Sequence, residues 1–144
     1  MKIRPYDAKH LVSLINTWES AVAVGHPFLS ERFLNAERKN ISSIYLPSGD
    51  AWVVMRGETV SGFSILHGND VGALFVRPEC HGQGVGTALL NKALEIHKQL
   101  TVEVFKDNTP AVRFYLNYGF TLTREYFHKD SGMVMLCLEY KQGR

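Results

Sequence analysis

Cysteine is scarce in this chain. Two occur in 144 residues, Cys80 and Cys137, far apart and without CxxC spacing. A disulfide framework of the small secreted kind is thereby excluded, and free thiols in a reducing compartment are expected. Long apolar runs are missing too, and none approaches the roughly 20 residues that span a bilayer. The opening stretch, MKIRPYDAKH, lacks the apolar segment of a signal peptide. The expected location is the cytoplasm, with no membrane partner. Neither sign of charge is in excess: 16 Lys and Arg against 14 Asp and Glu leave +2, too little to argue for nucleic acid. The six histidines show no HxxxH or other ligand spacing, so no metal is expected. Repeats, low-complexity tracts and linkers are absent from the sequence. One domain over residues 1–144 is expected, large enough to bury a core unaided.

What remains is an alternation of strand-like and helix-like segments. Ile3 and Arg4 open as a short strand. Asp7 caps a helix carrying Leu11, Leu14, Ile15, Trp18 and Val22 on one stripe. Pro27 disfavours helix at His26, and Ser30 starts a second helix running to about Ile44. LPSGD reads as a break. AWVVM, the turn RGET and VSGFSILHG form a hairpin, followed by the strand VGALFV. A third helix begins near Gly84, with Val85, Leu89, Ala93 and Ile96 on one face. LTVEVF is a strand. A fourth helix starts at about Pro110, where the first turn tolerates proline. FTLTREYF, the turn HKDSG and MVMLCLEY close the chain as a hairpin. The expected fold is mixed α/β: a largely antiparallel sheet of six to seven strands flanked by four helices.

Between Val76 and Leu90 the chain reads VRPECHGQGVGTALL, with Gly82, Gly84 and Gly86 at alternate positions. A helix N-terminus carries backbone N–H groups without intrahelical partners and a partial positive charge. Glycines there let the backbone approach an anion and adopt positive φ. The loop is therefore a candidate phosphate or pyrophosphate site, set against the plainer reading of a tight strand-to-helix turn. GxxxxGK[ST] is absent, which excludes a Walker loop. GxGxG in mid-chain does not match the GxGxxG of a dinucleotide fold.

A second block, EVFKDNTPAVRFYLNYGF, starts at Glu103. Its Asn108, Ala111, Phe114, Tyr115, Gly119 and Phe120, together with Gly84 and Gly86, resemble the GNAT superfamily of acyl-CoA-dependent N-acetyltransferases. GHPFL and ALFVRP look like a small bacterial subgroup of it. One departure stands out: His81 occupies the place usually held by Gln or Arg, so the loop's backbone donors are expected to hold the diphosphate without the usual side chain.

The resemblance implies an enzyme that transfers an acetyl group from acetyl-CoA to a primary amine by direct attack. It implies a splayed strand pair, with the pantetheine arm pairing to the backbone of Leu74, Phe75 and Val76. It places the pyrophosphate on the loop of His81, Gly82, Gln83, Gly84, Val85, Gly86 and Thr87. Asn108 caps the fourth helix and touches the cofactor. Tyr115 is the expected general acid for the leaving thiolate, since a phenol of pKa about 10 keeps its proton at neutral pH. Glu103 lies on the strand LTVEVF, twelve residues before Tyr115. That spacing resembles the branch that acetylates ribosomal-protein N-termini, whose matching glutamate acts as base. Apolar neighbours would make such a carboxylate a stronger base. His26, His67 and Asp70 are the fallbacks.

The acceptor groove is expected between the first two helices and the last hairpin. His26 and Phe28 are the foremost candidates to line it, with Trp18, Phe33 and Tyr126 beside them. Glu19, Glu31 and Glu37 are placed to attract a cationic amine. A protein N-terminus, a protein lysine and a small-molecule amine all remain open, as does monomer or homodimer. The alternative from another class is a non-catalytic acyl-CoA-binding module or sensor.

Overall fold

Asp7 begins the first helical segment with a reciprocal cap. Its carboxylate accepts from the Lys9 amide at 3.0 Å, while Nδ1 of His10 accepts from the Asp7 amide at 3.0 Å. Two orphan donors are thus satisfied where the chain turns from strand to helix. The computed structural model describes residues 1–142. After strand β1 (Lys2–Pro5) and a 3₁₀ turn, helix α1 spans Leu11–Gly25. Leu14, Trp18 and Val22 of the expected stripe are buried.

Ser30 caps α2 (Glu31–Asn40), its hydroxyl accepting from the Phe33 amide at 3.1 Å. The helical path runs past the expected end at Ile44, through a π turn at Ile41–Tyr45 and a short turn at Leu46–Ser48. Pro47, which has no N–H to donate back into the preceding turn, falls in the first turn of that last piece. The break comes at Gly49, not across the whole of LPSGD. Strands β2 (Asp50–Arg56), β3 (Thr59–His67) and β4 (Asp70–Val76) follow as two tight hairpins.

Helix α3 (Val85–Ile96) buries Val85, Leu89, Leu90 and Ala93. Ile96, expected on that face, is its last residue and 43% exposed, so Leu90 takes its place in the core. Strand β5 (Gln99–Phe105) leads to α4 (Thr109–Tyr118), capped by Asn108 and carrying Pro110 in its first turn. The chain closes with β6 (Thr121–His128) and β7 (Met133–Lys141).

The seven strands form one sheet in the order β1-β2-β3-β4-β5-β7-β6. Every pairing is antiparallel except β4 with β5. Neighbouring residues go to opposite faces. Val53 packs with Leu14, Trp18 and Phe63 under α1, whereas Val54 packs with Val85 and Leu89 under α3. On β5, Leu100, Val102 and Val104 join Leu90, Tyr115 and Phe120 on the face of α3 and α4. Both cysteines carry free thiols, as expected. No helix among the described residues is long and apolar enough to cross a membrane.

Candidate active site

The site is built on a fork in the sheet. Strands β4 and β5 pair only at Asp70–Thr101 and Val71–Val102. Beyond Val71 they part, and β5 stays with β7 while β4 stays with β3. The parting coincides with a bulge: Leu66 pairs with Val71 and Ile65 with Ala73, leaving Gly72 as the extra residue. A bulge bends its strand and sharpens the twist, which turns β4 away from β5 here. The edge of β4 that faces β5 therefore has no ladder partner from Ala73 to Val76. Such half-buried backbone groups need partners, and an extended amide-bearing chain would match them.

The glycine loop closes one end of the fork. Gly82 and Gly84 stand at φ +78° and +83°, the left-handed region, with almost nothing near the place a Cβ would occupy. Gly86 has a different task. A Cβ there would sit 2.9 Å from Cζ of Phe114, so the glycine lets α3 approach α4. The N-cap of α3 is Gly84, with no side-chain cap, and the first amides of the helix are open to an anion. Nε2 of His81 donates to the Val76 carbonyl at 3.1 Å, tying the loop to the end of β4. This is what the departure from Gln or Arg does locally.

Two cavities meet at the fork. One, of 640 Å³, is lined by the ends of α1 and β4, the loop and α4. It contains Leu74, Phe75, Val76, His81, Gly82, Gly84, Val85, Gly86, Thr87 and Asn108, all expected cofactor contacts. Gln83 is the exception: its amide bonds to Arg56 and to the Glu79 carbonyl, turned away from the cavity. The other cavity, of 420 Å³, lies between α1, α2, β4 and β5. The two share His26, Leu74, Phe75, Asn108, Ala111 and Tyr115.

Tyr115 stands at this junction, 4% exposed, edge-on to Phe114 and Phe120 at 5.1 and 5.2 Å. Burial, and then the charge of Asp70, push its phenol well above the ordinary tyrosine value. The hydroxyl therefore holds its proton across the neutral range, as an acid for a departing thiolate must.

Glu103 lines the second cavity but is exposed, not enclosed by apolar neighbours as expected. It shares its face of β5 with Thr101 and Phe105, and Phe105 lines the cavity with it. Its Oε1 accepts from the Tyr126 hydroxyl. Among the fallbacks, Asp70 lines the same cavity and accepts from Thr101 Oγ1 at 2.7 Å. His67 lines neither cavity, its Nε2 lying 3.3 Å from Ser48 Oγ. His26 lines both. Burial pushes its imidazole down to about 4, so it is neutral.

Of the expected acceptor residues, Trp18, His26, Phe33 and Glu37 line the second cavity. Phe28 and Tyr126 do not. Phe28 packs behind, with its ring 5.7 Å from those of both His26 and Phe105, and Tyr126 is engaged by Glu103. Glu19 pairs with Arg38, and Glu31 is exposed in the first turn of α2. Three aromatic lining residues escaped the sequence reading: Phe105, His128 and Tyr45. Phe105 had a signal, since it ends a strand three residues before the cap of α4. His128 and Tyr45 had none.

A fork with unpaired strand edge, a left-handed glycine loop under a bare helix start, and a protonated phenol between two cavities together define an acyl-CoA N-acyltransferase site. The sequence model of the Acetyltransferase (GNAT) family matches residues 15–120, and the chain belongs to that family. It is an N-acetyltransferase that moves an acetyl group from acetyl-CoA to a primary amine, and nothing favours a non-catalytic module instead. A peptidyl-lysine N-acetyltransferase, YjaB of Salmonella typhimurium, is 38% identical over 111 residues, 76% of each chain. The apo solution structure of YjaB from Escherichia coli superposes with a TM-score of 0.86 at 31% identity, covering 99% of this chain and 98% of that one. A GNAT acetyltransferase of Elizabethkingia anophelis solved with acetyl-CoA shares the fold, with a TM-score of 0.67 at 19% identity over 97% of both chains.

Proposed function

We propose that the enzyme acetylates lysine side chains of proteins. The observation that carries this is the charge of the second cavity. Glu37, Asp70 and Glu103 line it, and no lysine or arginine does. Each carboxylate accepts from a hydroxyl, of Tyr45, Thr101 and Tyr126 respectively. Hydroxyls leave the negative charge uncompensated, which favours a cationic guest. Trp18, Phe33 and Phe105 offer apolar walls to a methylene stem, so a lysine satisfies both features at once. The relatives named as peptidyl-lysine N-acetyltransferases support the same reading.

Acetyl-CoA brings the acetyl thioester. The residues that fit it are the free edge of β4 from Ala73 to Val76 for the pantetheine amides, and the first amides of α3 for the diphosphate. Tyr115 then faces the thiol end and donates its proton there. An alkyl ammonium of pKa about 10.4 must first be deprotonated, costing about 4.6 kcal/mol at pH 7. Glu103, open to solvent and lining the amine's cavity, takes that proton by way of water. Asp70 holds the ammonium beside the phenol.

The test offers purified protein acetyl-CoA with three acceptors: an N-terminally blocked peptide containing lysine, a lysine-free peptide with a free N-terminus, and a simple alkyl diamine. Thiol release with acetyl added to the blocked peptide's lysine is the expected result. Transfer confined to the free N-terminus or to the diamine overturns the reading.

A further inference from the structure

Asn108 and His26 are 82 residues apart in sequence, yet Nδ2 of one lies 3.0 Å from Nε2 of the other. Which atom donates is fixed by a third residue. The Ala111 amide is a donor only, and it lies 3.3 Å from Oδ1 of Asn108. The other end of the Asn108 amide is therefore its NH₂ group. Two N–H groups cannot bond each other, so Nε2 of His26 presents its lone pair and the ring proton sits on Nδ1. The ring's depressed pKa agrees with a neutral tautomer.

Nδ1 is the only enclosed side-chain polar atom without a hydrogen-bond partner among the described residues. Such orphans are uncommon in folded proteins and mark groups held in place by something else. Here the ring is wedged among Phe28, Phe75 and Phe105, with centroids 5.7, 6.0 and 5.4 Å away. The backbone before it is equally close: a Cβ at Gly25 would stand 3.4 Å from Nδ2 of Asn108. The chain accepts an unsatisfied Nδ1–H in order to aim Nε2 at Asn108.

We infer that His26 is a positioning residue: its Nδ1–H tautomer anchors Asn108, and through that cap fixes the first turn of the helix carrying Tyr115. The anchor sits where both cavities meet, so the wall of the amine's cavity and the acid are set by one side-chain pair. It follows that His26 is not the base. One nitrogen has its lone pair engaged by Asn108 and the other has none to offer. The inference rests on Tyr115 acting as the acid.

Four variants test it: His26→Phe, His26→Gln, Asn108→Ser and the double His26→Phe/Asn108→Ser. Phenylalanine keeps the ring packing without an acceptor, glutamine restores a carbonyl acceptor, and serine keeps a cap but loses the reach. His26→Phe is expected to lower kcat about tenfold or more with KM for acetyl-CoA within about threefold. His26→Gln recovers most of that loss, and the double variant is no worse than the poorer single one. Unchanged kcat in His26→Phe, no rescue by glutamine, or multiplied losses in the double variant overturn it. A ¹⁵N imidazole spectrum gives a readout independent of activity and of whether the variants fold. At neutral pH the wild-type His26 must show Nδ1 protonated and Nε2 bare. An Nε2–H tautomer refutes the anchor, whereas absence of transfer by a wild-type enzyme showing the expected tautomer refutes the proposed function alone.

Discussion

Tyr126 donates a hydrogen bond to Oε1 of Glu103, and Cys137 Sγ lies 3.9 Å from Oε2 of the same carboxylate. Both oxygens are thus engaged on the open face of β5. The bond to Glu103 is the main reason the Tyr126 phenol is pushed up to about 12, with burial and the carboxylate's charge adding to it. Replacing Glu103 by Gln removes the charge and frees the phenolate to form. Alkaline absorbance titration of Glu103→Gln should show one tyrosine falling back toward the ordinary value of about 10. A titration curve identical to wild type would mean that the pair is not formed in solution.

Tyr115→Phe keeps the ring between Phe114 and Phe120 and removes only the proton donor. Steady-state kinetics should show kcat at least about tenfold lower, with acetyl-CoA affinity nearly unchanged. The raised phenol also sets a pH signature. A group that ionises well above its ordinary value stays protonated through pH 10, so Tyr115 should contribute no alkaline fall in kcat below that point. An alkaline limb that disappears in Tyr115→Phe would contradict this.

Gly84→Val and Gly86→Ala probe the loop in different ways. At Gly84, φ is +83°, where a β-branched residue is strained and the loop must reshape. At Gly86 the added methyl displaces the Phe114 ring, which lines the cofactor cavity. Calorimetric titration with CoA should show weaker binding in both, by about tenfold or more at Gly84. Unchanged affinity in Gly84→Val would remove the diphosphate from this loop.

His26 links stability to acidity. Its folded-state pKa of about 4 lies below the ordinary histidine value of 6.5, so the unfolded chain binds a proton that the native state refuses. The contribution is complete above about pH 6.5, declines as pH falls toward 4, and is gone below it. Its full size is on the order of 3 kcal/mol. Urea unfolding between pH 7 and 4 should give a steeper loss for wild type than for His26→Phe. Parallel slopes would show that the ring is solvated in the native state.

Element order was legible in the sequence because each boundary has a local cause. Asp7, Ser30 and Asn108 are caps whose side chains bond amides two or three residues on. Gly84 needs a backbone that only glycine adopts freely. The resemblance carried by Asn108, Tyr115 and Phe120 led to the cofactor cavity. What escaped depends on distant packing. Alternation along β5 separates Glu103 from Val102 and Val104, but nothing local says that the face of Glu103 opens to solvent. The turning away of Gln83 depends on Arg56 at the end of β2, 27 residues earlier. The pairing of His26 with Asn108 joins segments that no spacing rule connects.

The fork gives this protein an unusual kind of boundary. An ordinary sheet ends at its rims, where unpaired strands invite other chains to stick. Here a further seam lies in the middle, flanked by helices, with a cavity beside it roomy enough for a slender amide-bearing arm. The fold is left one short ribbon incomplete, and on the proposed mode of cofactor binding every catalytic cycle would stitch that ribbon in and draw it out again.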